Sequence, residues 1–187
     1  MARKVSIEET ALLQRLSEVF RDHGYEGASL AKLSEAAGLK KASLYHRFPK
    51  GKEQMACEVL LAAQAWLSKN IVKPLKSKNN PRERIKAMAK TLDTFYSGGK
   101  QACLLNMLSS SRIQGGPFTG VIREAFDLWI DALTDVLIEA QMDRKEARTR
   151  AERAIALLQG NLVLARGMGT TRPFKAFLQT LPDELLG

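Results

Sequence analysis

The side chains best suited to chemistry cluster in one short run of the sequence, KKASLYHRF, at positions 40–48. Leu44 is the apolar anchor of this run, since a helix over about residues 40–47 buries it against neighbouring apolar residues. The same helix leaves four side chains facing outward, namely Lys41, Ala42, Tyr45 and His46. A short helix with one buried anchor and an outward polar face is typical of a recognition helix that enters the DNA major groove.

Catalytic chemistry is not expected from this sequence. There are only two histidines, and we find no G-x-S-x-G, phosphate-binding loop or dinucleotide glycine fingerprint. His46 lacks a second histidine or cysteine at i+3 or i+4, so it is a poor metal ligand. We therefore expect no catalytic residue, metal or cofactor, and we do not expect an enzyme.

The two cysteines, Cys57 and Cys103, cannot form a disulfide framework, and they fit a reducing cytosol. Isolated cysteines usually behave as small buried apolar residues. The alternative is a redox sensor in which these two thiols pair or oxidise. Loss of DNA binding under peroxide, restored by thiol, would favour that alternative.

Two helices before the run at 40–48 are predicted to form a three-helix head with it. Ser6-Ile7-Glu8-Glu9 forms a capping box, so the first helix should begin near Ile7. One face of this helix is apolar and consists of Leu12, Leu16, Val19 and Phe20. Gly24 suits the left-handed turn that commonly ends a helix.

The second helix is predicted to begin after Ser29, which can cap it. Its inward side chains are Leu30, Leu33 and Ala37. Gly38 then makes the turn and Leu39 returns to the core, so the sequence predicts a rigid head of three helices.

The body is predicted to be helical as well. The expected segments are Lys52 to about Asn70, Arg82–Ser97, Ala102–Arg112, an amphipathic stripe from Phe118 to Leu137, Asp143–Gly167 and Pro173–Leu181. Pro74 and the stretch 76–81 should break the pattern. The stripe's other face carries Asp127, Asp131, Asp135 and Glu139, which should face solvent or nearby arginines.

The charge balance fits a polyanionic partner but does not identify one. The formal net charge is +9 and the isoelectric point is near 9.7. Residues 1–55 hold ten Lys/Arg against seven Asp/Glu, whereas residues 69–90 hold eight Lys/Arg and one glutamate. That denser cluster fits three interpretations: a solvated surface, a site that attracts an anionic effector, or a secondary nucleic-acid contact.

The sequence contains neither an apolar run of eighteen residues nor the apolar core of a secretion signal. We therefore expect no membrane partner and a cytoplasmic location.

The head resembles the DNA-binding domain of TetR/AcrR-family regulators over about fifty residues. The matching positions are Phe20, Gly24-Tyr25, Ser29, Ala36-Ala37-Gly38-Leu39, Ser43-Leu44-Tyr45-His46 and Phe48-Pro49. The segment 48–53, FPKGKE, is similar to the F-P-x-G-K-E form of the LmrA/YxaF-like subgroup, and the stretch 157–167 resembles that subgroup too.

This resemblance implies an all-α fold of about nine helices that works as a homodimer on double-stranded operator DNA. Residues 1–51 would form the helix-turn-helix domain, and residues 52–187 the ligand-binding and dimerisation domain. It also implies a repressor that a small-molecule effector releases from a near-palindromic operator. A nonspecific DNA-binding protein is the remaining alternative, and its affinity would depend almost wholly on salt.

The resemblance also assigns DNA contacts residue by residue. The implied DNA-facing positions are Ser29, Ala31, Lys40, Lys41, Ala42, Ser43, Tyr45, His46 and Lys52. Lys41 would donate to guanine and the Ala42 methyl would touch thymine, while Ser43, Tyr45, His46 and Lys52 would hold phosphates. Two positions depart from the family, because Lys40 cannot cap the recognition helix and Ala42 replaces a frequent glycine or proline.

The segment 154–165, AIALLQGNLVLA, is apolar almost all round and needs burial on two sides. A twofold dimer interface would supply the second side, although a helix buried within one chain remains the alternative. The predicted interface residues are Ile155, Leu158, Leu162, Phe174, Phe177 and Leu178.

A sensing pocket is expected inside the body, lined by apolar side chains with a few polar ones. The candidates are Trp66, Met88, Leu92, Phe95, Tyr96, Cys103, Asn106, Met107, Phe126, Trp129, Gln159 and Asn161. Their aromatic and methionine content favours an apolar effector.

Overall fold

The computed structural model describes residues 8–109 and 115–187, and the regular structure within them is entirely helical. The helices are α1 (Glu9–Gly27), α2 (Leu30–Ala37), α3 (Lys41–Arg47), α4 (Gly51–Leu67), α5 (Lys73–Leu75), α6 (Pro81–Phe95), α7 (Leu104–Met107), α8 (Thr119–Glu139), α9 (Arg144–Gly167) and α10 (Arg172–Leu186). A π-helical turn, Ser68–Val72, joins α4 to α5, so the described residues contain nine continuous helices. The predicted all-α fold is confirmed.

The head is built from α1, α2 and α3 around a small apolar core. Phe20, Leu33, Leu44 and Phe48 are all fully or almost fully buried there. Helix α1 begins at Glu9, and Ser6 and Ile7 of the predicted capping box lie outside the described residues. The predicted end of α1 at Gly24 is partly wrong. Gly24 interrupts the helical geometry with φ +64° and ψ −175°, but helical turns resume as far as Gly27.

The turn between α2 and α3 follows the sequence prediction closely. Ser29 caps α2, because its hydroxyl oxygen accepts a hydrogen bond from the Lys32 amide at 3.3 Å. Gly38 adopts the left-handed conformation, with φ +63° and ψ 27°. The Leu39 amide then donates to the Ser34 carbonyl at 3.1 Å, which closes the end of α2 and starts α3 in a fixed direction.

The continuous helical rod formed by α4, the π-helical turn and α5 leaves the head and is longer than the sequence predicted. The prediction ended it near Asn70, with Pro74 as a breaker, whereas the chain stays helical to Leu75. The π-helical turn explains the difference. Within it the Lys73 amide donates to the Ser68 carbonyl, five residues back, and this shifted pairing accommodates Pro74, which has no N–H. The rod from residue 51 to residue 75 is about 37 Å long at 1.5 Å per residue.

Three further boundaries differ from the prediction. Helix α6 ends at Phe95 rather than Ser97, and α7 covers only Leu104–Met107, while predicted residues 110–112 lie outside the described ranges. Helix α10 passes through Pro182 to Leu186. Its apolar face explains this extension, because Leu181 and Leu185 are both buried against the body.

The acidic row on α8 pairs with arginines where the structure allows it. Arg148 donates to Asp131 at 2.6 Å. Arg84 is buried and donates to Glu139 and, at 2.8 Å, to the Leu75 carbonyl. The hydrogen bond from Arg84 lowers the pKa of Glu139. The prediction that this row faces solvent or nearby arginines is confirmed, and the Arg84 pair ties α5, α6 and α8 together.

Gly99 allows the end of α6 to approach α10 closely. It lies in a short 3-10 turn, Ser97–Gly99, with φ +94°. A Cβ atom at this position would lie 2.8 Å from the Cβ and Cδ1 atoms of Phe174, which is fully buried. Any side chain at position 99 would therefore displace an aromatic ring from the centre of the body.

We predict that Gly99→Ala lowers the free energy of unfolding by roughly 2–4 kcal/mol, from backbone strain and overpacking together. Thermal and urea unfolding monitored by circular dichroism measure this change. Gly120→Ala is the matched control, because a Cβ atom there meets nothing within 4 Å and the position lies in helix α8. Equal melting temperatures for the two variants would contradict the close approach at Gly99.

Candidate nucleic-acid interface and body cavity

Helix α3 presents one polar face to solvent and anchors itself with a single side chain. Leu44 is buried in the head core, whereas the predicted DNA-facing residues of this helix are exposed: Lys41, Ala42, Ser43, Tyr45 and His46. Lys40 occupies the N-cap position and makes no side-chain capping bond, as its residue type predicted. No side chain therefore caps the first turn of α3, where the Ser43 amide donates to the Lys40 carbonyl at 2.9 Å.

Arg47 fixes the other end of α3. Its Nη2 atom lies 2.5 Å from Oε1 of Glu9 on α1 and 3.0 Å from Oε2 of Glu58 on α4. Its guanidinium also lies over the Phe48 ring, 4.8 Å from the ring centroid. These contacts connect the end of the exposed helix to both of its longer neighbours, so α3 is held in one orientation.

A cleft of about 540 Å³ lies where α2, α3 and α4 meet. Its lining brings together three of the predicted DNA-facing residues, Ser29, Tyr45 and Lys52. Tyr45 is 45% exposed, and its ring edge lies beside Gly51 at the start of α4. Hydroxyl groups, an ammonium group and a helix N-terminus converge here, which is a suitable set for a phosphate oxygen.

Lys52 has a second role that the sequence did not indicate. Its Nζ atom donates to the Tyr25 carbonyl at 2.9 Å and lies 4.3 Å from the centroid of the Tyr25 ring. Burial raises the pKa of the Tyr25 phenol, and the nearby Glu53 and Glu26 raise it further. Lys52 therefore attaches the start of α4 to the last turn of α1, while its remaining N–H donors stay available. Ala31, also predicted to face DNA, is exposed in a shallow cleft beside Lys40 and Lys41.

The body contains a small, mostly apolar cavity of about 30 Å³. Six of the twelve predicted pocket residues line it: Trp66, Leu92, Phe95, Tyr96, Cys103 and Trp129. The Trp66 and Phe95 rings are stacked with centroids 3.8 Å apart and planes at 23°. This volume is about that of one water molecule, so any larger guest must first separate the aromatic side chains.

The other six predicted pocket residues do not line this cavity. Met88 is buried behind Trp129, whose Nε1 lies 3.4 Å from the Met88 sulfur. Gln159 donates to the Cys103 sulfur at 3.4 Å, and Asn161 donates to the Leu157 carbonyl of its own helix. The remaining three are Met107, half-buried and next to Gly24, Phe126, half-buried on α8, and Asn106, exposed.

One charged residue among the cavity-lining side chains was not predicted from the sequence. Arg21 lies on α1, in the head, and borders a cavity otherwise formed by α4, α6, α8 and the segment around Cys103. No local pattern could have indicated this, because Arg21 follows Phe20 at the edge of an ordinary amphipathic helix. Cys103 is also buried at this cavity, and both cysteines are free thiols.

The predicted dimer-interface residues are buried within the single chain. Ile155, Leu158, Leu162, Phe174, Phe177 and Leu178 are between 0% and 8% exposed in the single chain. They pack α9 and α10 against the rest of the body, so they belong to the chain's own core. The outer face of α9 is different, because Val163 and Leu164 are 47% and 51% exposed and Met168 just beyond the helix is 57% exposed.

Comparisons with known proteins agree with this architecture. Residues 12–59 match the family model described as bacterial regulatory proteins, tetR family. Residues 81–180 match the model described as transcriptional regulator LmrA/YxaF-like, C-terminal domain. The HTH-type transcriptional regulator LmrA of Bacillus subtilis (strain 168) is 23% identical over 177 residues, covering 93% of this chain and 94% of that protein.

A second relative is the HTH-type transcriptional repressor DhaR of Mycobacterium sp. (strain GP1), 25% identical over 94% of this chain and 90% of that protein. Among solved structures, a TetR transcriptional regulator from Legionella pneumophila superimposes with a TM-score of 0.84 at 21% identity, over 99% of this chain and 100% of the other. The regulator CifR, solved as a cysteine mutant with 26-base-pair operator DNA, superimposes with a TM-score of 0.69 at 23% identity, over 96% and 98%. Since the LmrA/YxaF-like match alone spans more than half of the residues, the chain belongs to the TetR family of bacterial regulatory proteins.

Proposed function

We propose that this protein is a sequence-specific repressor that a small-molecule effector releases from a near-palindromic operator. The observation that carries the proposal is the exposed polar face of α3, held by Leu44 from inside the head and by Arg47 from its end. A rigid recognition helix can place Lys41 and Ala42 at base edges, while Ser43, Tyr45, His46 and Lys52 hold phosphates on either side.

The proposal includes a homodimer formed through the outer face of α9 with α10. Val163, Leu164 and Met168 leave apolar surface exposed on this side. A Cβ atom at Gly160 or Gly167 would meet nothing within 4 Å, so the backbone of α9 is open to the approach of another helix. A second copy related by a twofold axis would cover this surface and place two recognition helices in successive major grooves.

Selection of bound duplexes from a random pool, with purified protein at near-physiological salt, tests the proposal directly. A twofold dimer should enrich an inverted repeat whose half-sites are separated by about one helical turn or a modest multiple of it. Active, dimeric protein that enriches no sequence would overturn the proposed function. It would favour nonspecific binding, in which affinity follows salt alone.

We predict that Lys41→Ala weakens binding to the selected operator by roughly 1–3 kcal/mol and relaxes the preference at one base position. The reason is the loss of a base-edge donor from the exposed face of α3. Repeating the duplex selection with the variant measures both effects.

The matched comparison is Lys52→Ala, which should weaken operator and random DNA about equally and reduce the slope of log affinity against log salt by about one. Lys52→Arg, which retains a cation beside Tyr25, should recover most of this loss. A Lys41→Ala variant with unchanged base preference would remove Lys41 from base recognition.

We predict that Val163→Glu raises the dimer dissociation constant at least ~10-fold, because a carboxylate would lose its hydration at an apolar interface. Sedimentation velocity over a concentration series measures the monomer–dimer equilibrium. Leu61→Glu is the control, since Leu61 is comparably exposed on α4, away from the proposed interface. If both variants remained dimeric, the interface would have to lie on another face.

A further inference from the structure

Arg21 connects the head to the body cavity through two contacts. Its Nη1 atom donates to the Ala102 carbonyl, in the body, at 2.5 Å. Its guanidinium lies over the Phe95 ring, 4.9 Å from the centroid, and Phe95 stacks in turn on Trp66. A cation from the DNA-binding head thus forms part of the wall of a cavity in the body.

Arg21 has no counter-ion in the described part of the chain. The ion pairs there involve Arg47, Arg82, Arg84, Lys86, Arg148 and Arg150. Within residues 8–109 and 115–187, Arg21 is also the only charged side chain that lines the cavity. This partly buried charge contacts a carbonyl dipole and an aromatic face, and the acidic residues Glu9 and Glu18 line the adjoining groove without pairing with it.

An open groove gives access to this position from outside. It has a volume of about 540 Å³ and runs between α1, α4 and the end of α6. The groove and the cavity share five lining residues, namely Arg21, Ala63, Trp66, Phe95 and Leu104. The stacked Trp66 and Phe95 rings therefore border both the groove and the cavity.

We infer that the effector is an aromatic carboxylate that enters by this groove and binds Arg21, an inference that rests on the proposed effector-controlled function. The planar ring of such a compound would replace one member of the Trp66–Phe95 stack. Its carboxylate would accept two parallel hydrogen bonds from the guanidinium, which is the geometry that arginine provides best. Arg21 thereby becomes a ligand contact supplied by the DNA-binding head.

This arrangement also couples the ligand to the head. The Ala102 carbonyl takes one of the five N–H donors of the guanidinium, on Nη1. A carboxylate that binds the edge containing Nη1 competes with this carbonyl and weakens the hydrogen bond that joins α1 to the body. A ligand that binds better when this bond is broken shifts the protein toward conformations in which the head is differently placed. The same Arg21 side chain would therefore recognise the effector and release the head.

The test compares each of three carboxylates with its uncharged amide: benzoate, 2-naphthoate and biphenyl-4-carboxylate. Binding to the full-length protein without DNA is measured by isothermal titration calorimetry and by melting-temperature shift. At least one carboxylate should bind ~10-fold or more tightly than its amide, as expected for a charge-assisted hydrogen bond. Arg21→Gln should abolish the difference and Arg21→Lys should retain part of it. Arg123→Gln, which removes an exposed arginine of α8, should leave it unchanged.

Three results would overturn parts of this inference. Equal binding of every carboxylate and its amide, or full discrimination by Arg21→Gln, would remove Arg21 as the ligand contact. Preferential carboxylate binding that leaves the affinity for the selected operator unchanged would overturn the coupling to the head. Because ligand binding is measured without DNA, failure to select an operator would overturn only the proposed function and leave the Arg21 site standing.

Discussion

Helix α1 contacts both the head and the body. These shared contacts limit how the head can move relative to the body. Leu16 and Phe20 are buried in the core that also holds α2 and α3. Arg21, the next residue, donates across to the segment before α7, and Tyr25 makes an edge contact with Phe118 at 5.1 Å between ring centroids. A displacement of the head relative to the body must therefore break polar and aromatic contacts of α1 or carry α1 along with it.

The recognition helix itself is too short to hold its own conformation. Seven residues form fewer than two turns, and isolated helices of that length are unstable in water. Its orientation is imposed by its neighbours through the left-handed turn at Gly38, the buried anchor Leu44 and the ion pairs of Arg47. The outward face can therefore vary in sequence with little effect on the fold, since the residues that fix the helix are not those that would touch DNA.

The sequence predicted the head better than the body because the signals in the head are local. The Ser29 cap, the Gly38 turn and the Leu44 anchor each act within a few residues, and the structure confirms all three. The faces of α9 could not be assigned in this way. Its apolar residues surround the helix, so the pattern could not show that Ile155 and Leu158 face the core while Val163 and Leu164 face outward. Which face of α9 is buried depends on where α8 and α10 pack against it, and the sequence of α9 alone does not contain that information.

The residues that line the cavity could also be predicted only in part from the sequence. Aromatic residues such as Trp66, Phe95 and Trp129 could be predicted as a lining because they belong to the body. Arg21 could not, since it lies more than forty residues before the nearest of them and on a helix of the head. The effector chemistry suggested by composition alone was apolar, whereas the folded chain adds one cation to the same wall. Arg21 belongs to both the head and the cavity wall, so under the proposed function a ligand that weakens its hydrogen bond to Ala102 would also loosen the contact of α1 with the body.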